Sequence, residues 1–323
     1  MARRLRGAPV APVSWRDGIH LTGTGIWCDA RRRRDVCFVS SADRIGRAGH
    51  GQLIGTPYTL ALLGARGGGH LGVPLRQKFT LGTTRVELIA SGRGPGAAAL
   101  YVDQAGKRVL YAGAIRTQVV PESAIEAAEA RTCDALVVSA PCVEPKLPAL
   151  ATAIAQTIEW TQKQLATEIR PVLIVETALD GLEVATALGA AGIPLAGARP
   201  IRELARRLLE SGDAGIVAPS VSAPGREPRA TVWVDGDRGL LERAIGDRPH
   251  AIARLSGIGD RELTFAWSNA ADRAQLLTWI DTTSAREIYI TGACAESIAA
   301  HLGPRARVIG PPQQMTLFPR EAS

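Results

Sequence analysis

One apolar run constrains the fold of this chain more than any other sequence feature. The run "PVLIV" at residues 171–175 has no alternation of polar and apolar residues, which is typical of a strand buried on both faces of a parallel sheet. An amphipathic helical pattern precedes it at 147–169, and two more follow at 180–192 and 200–212. The last two end at Gly192 and Gly212, and glycine is a common helix stop. This alternation predicts a parallel-sheet βαβ module.

The first 150 residues have a different pattern, in which short strand-like runs are separated by turn signals. Such runs occupy residues 84–91, 98–113 and 133–140, and the second contains a predicted hairpin about Gln104-Ala105-Gly106. A helix is predicted from Pro57 up to a group of glycines. After residue 230 the sequence predicts a strand, a polar segment, a second strand, a helix at 270–283, a strand at 286–291 and a helix at 294–302. The chain is therefore expected to be a layered α/β protein.

Length and charge limit the possible classes of protein. A chain of 323 residues with 46% hydrophobic content can bury a large core, as one large domain or two linked ones. The formal net charge of +7 is compatible with an anionic partner such as nucleic acid. Positive charge is concentrated in one run of arginines: Arg31, Arg32, Arg33 and Arg34. Two interpretations of this run stay open, namely phosphate contacts or a solvated turn.

The cysteines and histidines provide no local binding motif. The five cysteines contain no C-x-x-C pair, and we expect a cytoplasmic protein with reduced thiols. Most of the cysteines should pack in the core as small apolar groups. No two of the five histidines are spaced as a local metal chelate. No apolar run approaches ~18 residues, and the first 15 residues lack a secretory-signal pattern, so no membrane contact is expected.

Several segments resemble, in order and spacing, the motifs of the metallo-β-lactamase fold. They are "WCDARRRRDVCFVSSADRIGRAGHGQLIGTP", "ASGRGPGAAAL", "YAGAI", "CDALVVSAP", "WSNAAD" and "YITGA", and the likeness extends over about residues 18–302. The chain is most similar to the β-CASP nuclease branch, and within it to the bacterial ligase-associated DNA exonucleases. This resemblance implies a four-layer αββα sandwich in residues 1–150 and 256–310. It also implies an inserted β-CASP-like α/β module in residues 151–255. The proline-flanked last segment lies outside any regular element, and a flexible tail is expected at 311–323.

The resemblance also indicates where the metal ligands of that family would fall in this chain. The H-x-H-x-D-H ligands fall on Ser41, Asp43, Ile45 and Gly46, and the remaining positions on Arg93, Ala114, Ser139, Ala270 and Gly292. Only Asp29, which supports the site in the family, is retained.

These replacements remove the chemistry that the family performs. Two-metal hydrolysis needs imidazole and carboxylate ligands that hold the ions ~3.5–4 Å apart. Serine, alanine, glycine and isoleucine are poor ligands for a divalent cation, and Arg93 puts a fixed positive charge in the site. Ser41 and Ser139 have no histidine mapped beside them as a base. We therefore predict no metal, no other cofactor and no catalytic residue; the alternative is an active metal-dependent DNA or RNA exonuclease with ligands elsewhere.

Arg93 has two possible roles in a site without metal. Its guanidinium matches the geometry of a phosphate and could contact nucleic acid directly. Alternatively, Arg93 forms an ion pair with Asp29 or Asp43 and fills the space of the absent metal.

The segment "QQMTLFP" at residues 313–319 is a second informative feature. It resembles the peptide Q-L-S/D-L-F by which bacterial replication and repair proteins bind the sliding clamp, with Gln314, Met315, Leu317 and Phe318 at the anchoring positions. An extended segment of this kind can insert a glutamine and apolar side chains into a preformed groove. The alternative is that the segment folds back and buries its apolar side chains on the core.

Together these features predict a non-catalytic pseudonuclease that acts as an accessory or scaffold in DNA repair or replication. The expected partners are the sliding clamp, DNA and an active repair enzyme. A third possibility is a protein-interaction module without DNA contact, for which no salt-sensitive DNA binding is expected.

Overall fold

The computed structural model of the protein describes residues 11–44, 49–65, 68–121, 123–143, 146–212, 218–227, 229–236, 238–256 and 263–311. In these ranges the strands form three sheets, and helices connect and cover them, so the chain is mixed α/β as predicted. No helix in the described ranges is long and apolar enough to cross a membrane.

The first sheet has six strands that follow one another in chain order. They are β1 (Val13–Trp15), β2 (Ile19–Leu21), β3 (Ile26–Cys28), β4 (Val36–Phe38), β5 (Gln52–Gly55) and β6 (Leu71–Gly72). The first three strands pair antiparallel, and the pairs from β3 to β6 are parallel. Helix α1 (Pro57–Leu63) follows β5; Thr56 caps its start and Gly64 ends it in the left-handed conformation. The helix predicted from Pro57 is confirmed.

The second sheet has seven strands in the order β18-β17-β11-β10-β9-β8-β7. They are β7 (Lys78–Leu81), β8 (Thr84–Ala90), β9 (Ala98–Gln104), β10 (Lys107–Gly113), β11 (Ala135–Ser139), β17 (Glu287–Thr291) and β18 (Ala306–Val308). β9 and β10 pair antiparallel around Ala105 and Gly106, which confirms the predicted hairpin. β10, β11 and β17 are parallel, so Gly113, Ser139 and Thr291 end at one side of the sheet, called here the carboxyl edge.

The two sheets pack face to face around a common core. Ile19 and Phe38 of the first sheet and Leu88 and Leu100 of the second are buried in one apolar cluster. Burial of a side chain of this size stabilises a fold by ~1.5–3 kcal/mol. Two helices, α6 (Arg273–Thr282) and α7 (Ala295–Leu302), cover the other face of the second sheet.

The third sheet is the predicted parallel module. Its strands, in the order β13-β14-β12-β15-β16, are β12 (Arg170–Val175), β13 (Leu195–Gly197), β14 (Ala230–Val234), β15 (His250–Leu255) and β16 (Thr264–Phe265). All its pairs are parallel and every residue of β12 is buried, which confirms the interpretation of the run at 171–175.

Four helices belong to the module: α2 (Leu150–Ala166), α3 (Ala178–Ala190), α4 (Arg199–Ser211) and α5 (Arg238–Ile245). α3 begins with a capping box, in which Thr177 and Asp180 each bond the backbone N–H of the other. Leu62 of α1 shares an apolar cluster with Leu179 of α3 and Leu208 of α4. This cluster holds the module against the first sheet.

Two features of the module differ from the prediction. β16 pairs with β15, so the module sheet extends to Phe265, beyond the boundary predicted at 255. α5 and β15 both lie where the sequence predicted only a polar segment. The hydrophobic side of α5 is narrow, since Leu241 and Ile245 are buried but Leu240 is 46% exposed, and so short a helix then shows only a weak hydrophobic periodicity.

The expectation that all the cysteines are reduced is wrong. Cys142 and Cys294 form a disulfide although 152 positions separate them along the chain. Cys28, Cys37 and Cys133 are free and buried, as predicted for thiols that act as small apolar groups. The pair was missed because only the tertiary fold brings the two cysteines together.

Candidate functional site

Asp29, the retained acidic residue, follows β3 and is held by neutral donors. One carboxylate oxygen accepts the backbone N–H of Ser40 at 2.8 Å, and the other accepts the hydroxyls of Ser40 at 2.5 Å and Tyr111 at 2.7 Å. Loss of solvent raises the pKa of Asp29, and these hydrogen bonds act in the opposite direction. Because Ser40 follows β4 and Tyr111 is in β10, Asp29 ties the end of the first sheet to the second sheet.

Asp43 and Arg93, two of the predicted degenerate positions, form an ion pair. Arg93 Nη2 lies 2.8 Å from Asp43 Oδ2, and Ser41 Oγ donates to Asp43 Oδ1 at 2.5 Å. Although burial acts to raise the pKa of Asp43, the charge of Arg93 and the hydrogen bond from Ser41 hold it below its ordinary value. Of the two roles left open for Arg93, the ion pair with Asp43 is observed.

Arg93 also reaches the module. Its Nη1 lies 3.0 Å from Asp180 Oδ1, and the same oxygen accepts Asn269 Nδ2 at 2.7 Å. The Arg93 side chain is only 7% exposed, and its two terminal nitrogens are both bound to carboxylates. A phosphate contact, the other role left open for Arg93, would have to compete with these two ion pairs.

Gly92 explains how Arg93 comes to this position. Its φ angle is +70°, and a Cβ at this residue would lie 2.1 Å from the carbonyl oxygen of Arg116. Only glycine fits so close an approach in this conformation. The glycine-rich segment after β8 thus allows the backbone to lie against Arg116.

Arg116 forms a second, deeper ion pair with the module. Its two terminal nitrogens bind Glu183 of α3 at 2.8 and 3.0 Å, and Trp267 Nε1 donates to the same carboxylate at 2.8 Å. The side chains of Arg116 and Glu183 are 2% and 4% exposed. We call the two ion-paired groups, Arg93 with Asp43 and Asp180 and Arg116 with Glu183, the ion-pair junction.

The remaining described degenerate positions lie around the carboxyl edge. Gly292 is at a φ of +98°, and a Cβ there would lie 2.6 Å from the Ala140 carbonyl oxygen and 3.0 Å from Ser139 Oγ. Ala114 and Ala270 are both buried, and Ala271 N–H donates to the Ile115 carbonyl at 2.8 Å. The described positions that the resemblance assigns to metal ligands therefore lie near one another at this edge. Ile45, Gly46 and the clamp-motif residues Gln314, Met315, Leu317 and Phe318 lie outside the described residues.

The side chains at this edge do not fit a two-metal centre. Among the described residues, no three His, Cys, Asp or Glu side chains converge into a group that could hold a metal ion. Arg93 lies between the carboxylates of Asp43 and Asp180, where its positive charge already neutralises them. What the arrangement does provide is a link between the module and the sheets.

The arginine run is partly engaged by neighbouring residues. Arg31, Arg32 and Arg33 are exposed, and Arg32 Nε lies 3.2 Å from Asp17 Oδ2. Arg34 is less exposed; its guanidinium carbon lies 3.7 Å from the centre of the Trp27 ring, and Nη2 donates to the Arg16 carbonyl at 2.5 Å. Arg31 and Arg33 are therefore the members of the run best placed to meet an external phosphate.

Two concavities lie in the described part of the module, and the first adjoins the ion-pair junction. The first is a cavity of ≈ 20 Å³ lined by residues of the ion-pair junction, including Asp180 and Glu183. It has room for about one water molecule and is far too small for a nucleotide. The second is a groove of ≈ 440 Å³ in the module, between α5 and β15, with Ile174, Trp233 and Ile252 among its lining residues. None of the described predicted site residues lines it.

Sequence reasoning missed the partners that the module contributes. Asp180 and Glu183 lie in a helix whose capping box, Thr177 with Asp180, was visible in "TALD" as a helix start but carried no signal of an ion pair. Arg116 is buried and directly follows the "YAGAI" segment. This position, next to a segment that the resemblance assigns to the site, was the one sequence signal for Arg116.

Comparisons with known proteins add a likeness of fold. No protein-family model matches the chain, and no curated protein matches it. A crystal structure of a protein of unknown function from Enterococcus faecalis V583 is similar, with a TM-score of 0.56 and 11% sequence identity. The match covers 85% of this chain and 79% of that one. At so low an identity, the likeness concerns the fold alone.

Proposed function

We propose that this chain is a non-catalytic member of the β-CASP branch of the metallo-β-lactamase fold. It acts as an accessory subunit in bacterial DNA repair or replication and is tethered to the sliding clamp through Gln314, Met315, Leu317 and Phe318. The fold proposed is a four-layer αββα sandwich with an inserted β-CASP-like module. Two facing sheets, with α6 and α7 outside the second and a parallel-sheet module inserted after β11, support this part of the proposal.

The observation that carries the loss of catalysis is the ion pairing of Arg93. At the position that the resemblance assigns to a metal-binding histidine, a buried guanidinium binds Asp43 and Asp180. A cation bound there would meet a fixed positive charge, and the Coulomb repulsion between unit charges ~4 Å apart reaches ~4 kcal/mol at an effective dielectric constant of 20. The same contacts hold the module against the sheets, which suits a protein that scaffolds other enzymes.

The clamp tether is supported by the sequence of residues 313–319, which lie outside the described residues. In the clamp-binding peptide that this segment resembles, the glutamine and the two last apolar residues are the anchors. Gln314, Leu317 and Phe318 occupy those places here. An extended peptide can bind a preformed groove through such anchors without structure of its own.

The tether is tested by binding of the full-length protein to purified sliding clamp from the same bacterium, measured by surface plasmon resonance. Gln314→Ala and the double change Leu317→Ala with Phe318→Ala should each abolish most of the binding, because they remove anchoring side chains. Gln313→Ala is the matched control, since this neighbouring glutamine is outside the anchoring positions, and it should bind as the unchanged protein does. Equal binding by all the variants would contradict the proposed tether.

A DNA contact is proposed for the exposed part of the arginine run. Changing Arg31 and Arg33 to alanine should weaken binding to duplex DNA and lower the slope of log affinity against log salt by up to ~0.9 per lost phosphate contact. Lys163, at the end of α2, provides a control substitution to alanine outside the run. If the unchanged protein has no salt-sensitive DNA affinity, the protein acts through protein partners alone.

A further inference from the structure

The disulfide between Cys142 and Cys294 lies beside the candidate site. Cys142 follows β11 and Cys294 follows β17, two adjacent parallel strands that end at the carboxyl edge. Their Cα atoms are 5.2 Å apart, within the usual range for a disulfide. The bridge adjoins Ser139 and Gly292, and Cys294 N–H donates to the Ala140 carbonyl at 3.2 Å.

This pair differs from the other cysteines in its access to solvent. Cys142 and Cys294 are partly exposed, and the neighbouring residues Gly292 and Ala293 are exposed. The three free cysteines are buried, and burial raises the pKa of Cys37 to about 12 and that of Cys133 to about 11. Thiols of that kind form little thiolate and are poor partners in disulfide exchange. An external reductant therefore has one disulfide to reduce, and the three buried thiols take little part in the exchange.

The bridge also holds the start of a helix. Cys294 is the N-cap residue of α7, and its side chain makes no capping hydrogen bond. The bridge, the Cys294 N–H bond to Ala140 and the burial of Ala295 and Ile298 all help to hold the start of this helix against the second sheet. Opening the bridge removes the covalent link between this helix start and the segment that follows β11.

We propose that Cys142 and Cys294 form a thiol–disulfide exchange site, which a dithiol reductant opens in the folded protein. Opening it loosens the start of α7 at the carboxyl edge. A thiolate of the reductant attacks one sulfur, the S–S bond breaks, and the other sulfur leaves as a thiolate that takes up a proton. The second thiol of the reductant then breaks the mixed disulfide, so two electrons and two protons pass to the protein and the reductant becomes a disulfide. The inference does not depend on the clamp tether.

The test uses the full-length folded protein, with dithiothreitol as the reductant. Accessible thiols are alkylated without denaturant before and after treatment, and the labelled residues are identified by mass spectrometry. Labelling of Cys142 and Cys294 should rise severalfold after treatment, while Cys28, Cys37 and Cys133 stay unlabelled. Amide hydrogen exchange should become severalfold faster at the start of α7 and remain unchanged in β9. A bridge that opens only after urea is added overturns the proposal, and so does unchanged exchange in α7 after reduction.

Two substitutions sharpen the test. Cys142→Ala should give fast exchange at the start of α7 without reductant, and dithiothreitol should then have no further effect. Cys133→Ser keeps the bridge and should respond to dithiothreitol as the unchanged protein does. If Cys142→Ala fails to fold, the labelling of the unchanged protein still decides the outcome.

Discussion

Asp29 and Asp43 follow adjacent strands of the first sheet but have different surroundings. Asp29 is bound by Ser40 and Tyr111, neutral donors that connect the two facing sheets. Asp43 is bound by the charge of Arg93, which also binds Asp180 in the module. The difference indicates that hydrogen bonds from neutral groups hold the two facing sheets together at this edge. Ion pairs at the same edge hold the module in place.

Buried ion pairs of this kind specify an arrangement more than they stabilise it. The cost of removing both charges from water offsets most of their attraction, but loss of one partner leaves an uncompensated charge. Substitutions in the ion pairs should therefore lower the free energy of unfolding more than substitutions around Asp29.

The largest effect is expected at Arg116. Arg116→Met leaves Glu183 buried without its partner, and the free energy of unfolding should fall by ~3–5 kcal/mol. Urea-induced unfolding followed by circular dichroism measures it. The double change Arg116→Met with Glu183→Leu is the control; it should recover much of the loss because no lone charge remains. If the single change is as stable as the double one, the pair is not holding the module.

Arg93→Met should have a smaller effect on unfolding, roughly 2 kcal/mol, because Asp43 and Asp180 keep some contact with solvent. It should also increase proteolytic cleavage between the module and the sheets. Arg206→Ala is the control, since its ion pairs with Glu203 and Glu210 lie on the exposed side of α4 and contribute little. Equal effects of the two changes would remove the distinction between the ion-pair junction and ordinary surface charge.

Acid should weaken the stabilising contribution of Asp43. The pKa of Asp43 is lower in the folded protein than its ordinary value of ~3.9. Its stabilising contribution is therefore complete above about pH 4 and is lost as the pH falls through the lower folded-state pKa. The difference in unfolding free energy between the unchanged protein and Asp43→Asn should shrink over this interval. A difference that is constant down to pH 2 would contradict the assignment.

The smallest effect is expected at Asp29. Tyr111→Phe removes one of the hydrogen bonds to Asp29 and leaves those from Ser40, so the loss in unfolding free energy should be ~1.5 kcal/mol, the lower end for a bond to a charged group. Tyr101→Phe is the control, because that hydroxyl donates to the Thr132 carbonyl at an exposed position. A loss for Tyr111→Phe larger than that for Arg93→Met would reverse the comparison.

Much of the fold could be predicted from sequence because its signals are local. The buried run of β12, the hairpin at Ala105 and Gly106 and the helix from Pro57 each depend on residues close in the chain. α5 was missed because only two of its residues turn to the core. The Cys142–Cys294 bridge and the partners of Arg93 and Arg116 in α3 were missed because they join distant segments. Asp43 was named as a partner of Arg93 because the resemblance put both at one site.

The central claim is that the carboxyl edge binds no catalytic metal. It is tested most directly by measuring the metal content of the purified full-length protein by mass spectrometry and by assaying the same sample for DNA hydrolysis. We expect metal well below one ion per chain, even after incubation with zinc or manganese, and no hydrolysis that chelation abolishes. Stoichiometric zinc or manganese, with nuclease activity lost on chelation, would contradict it.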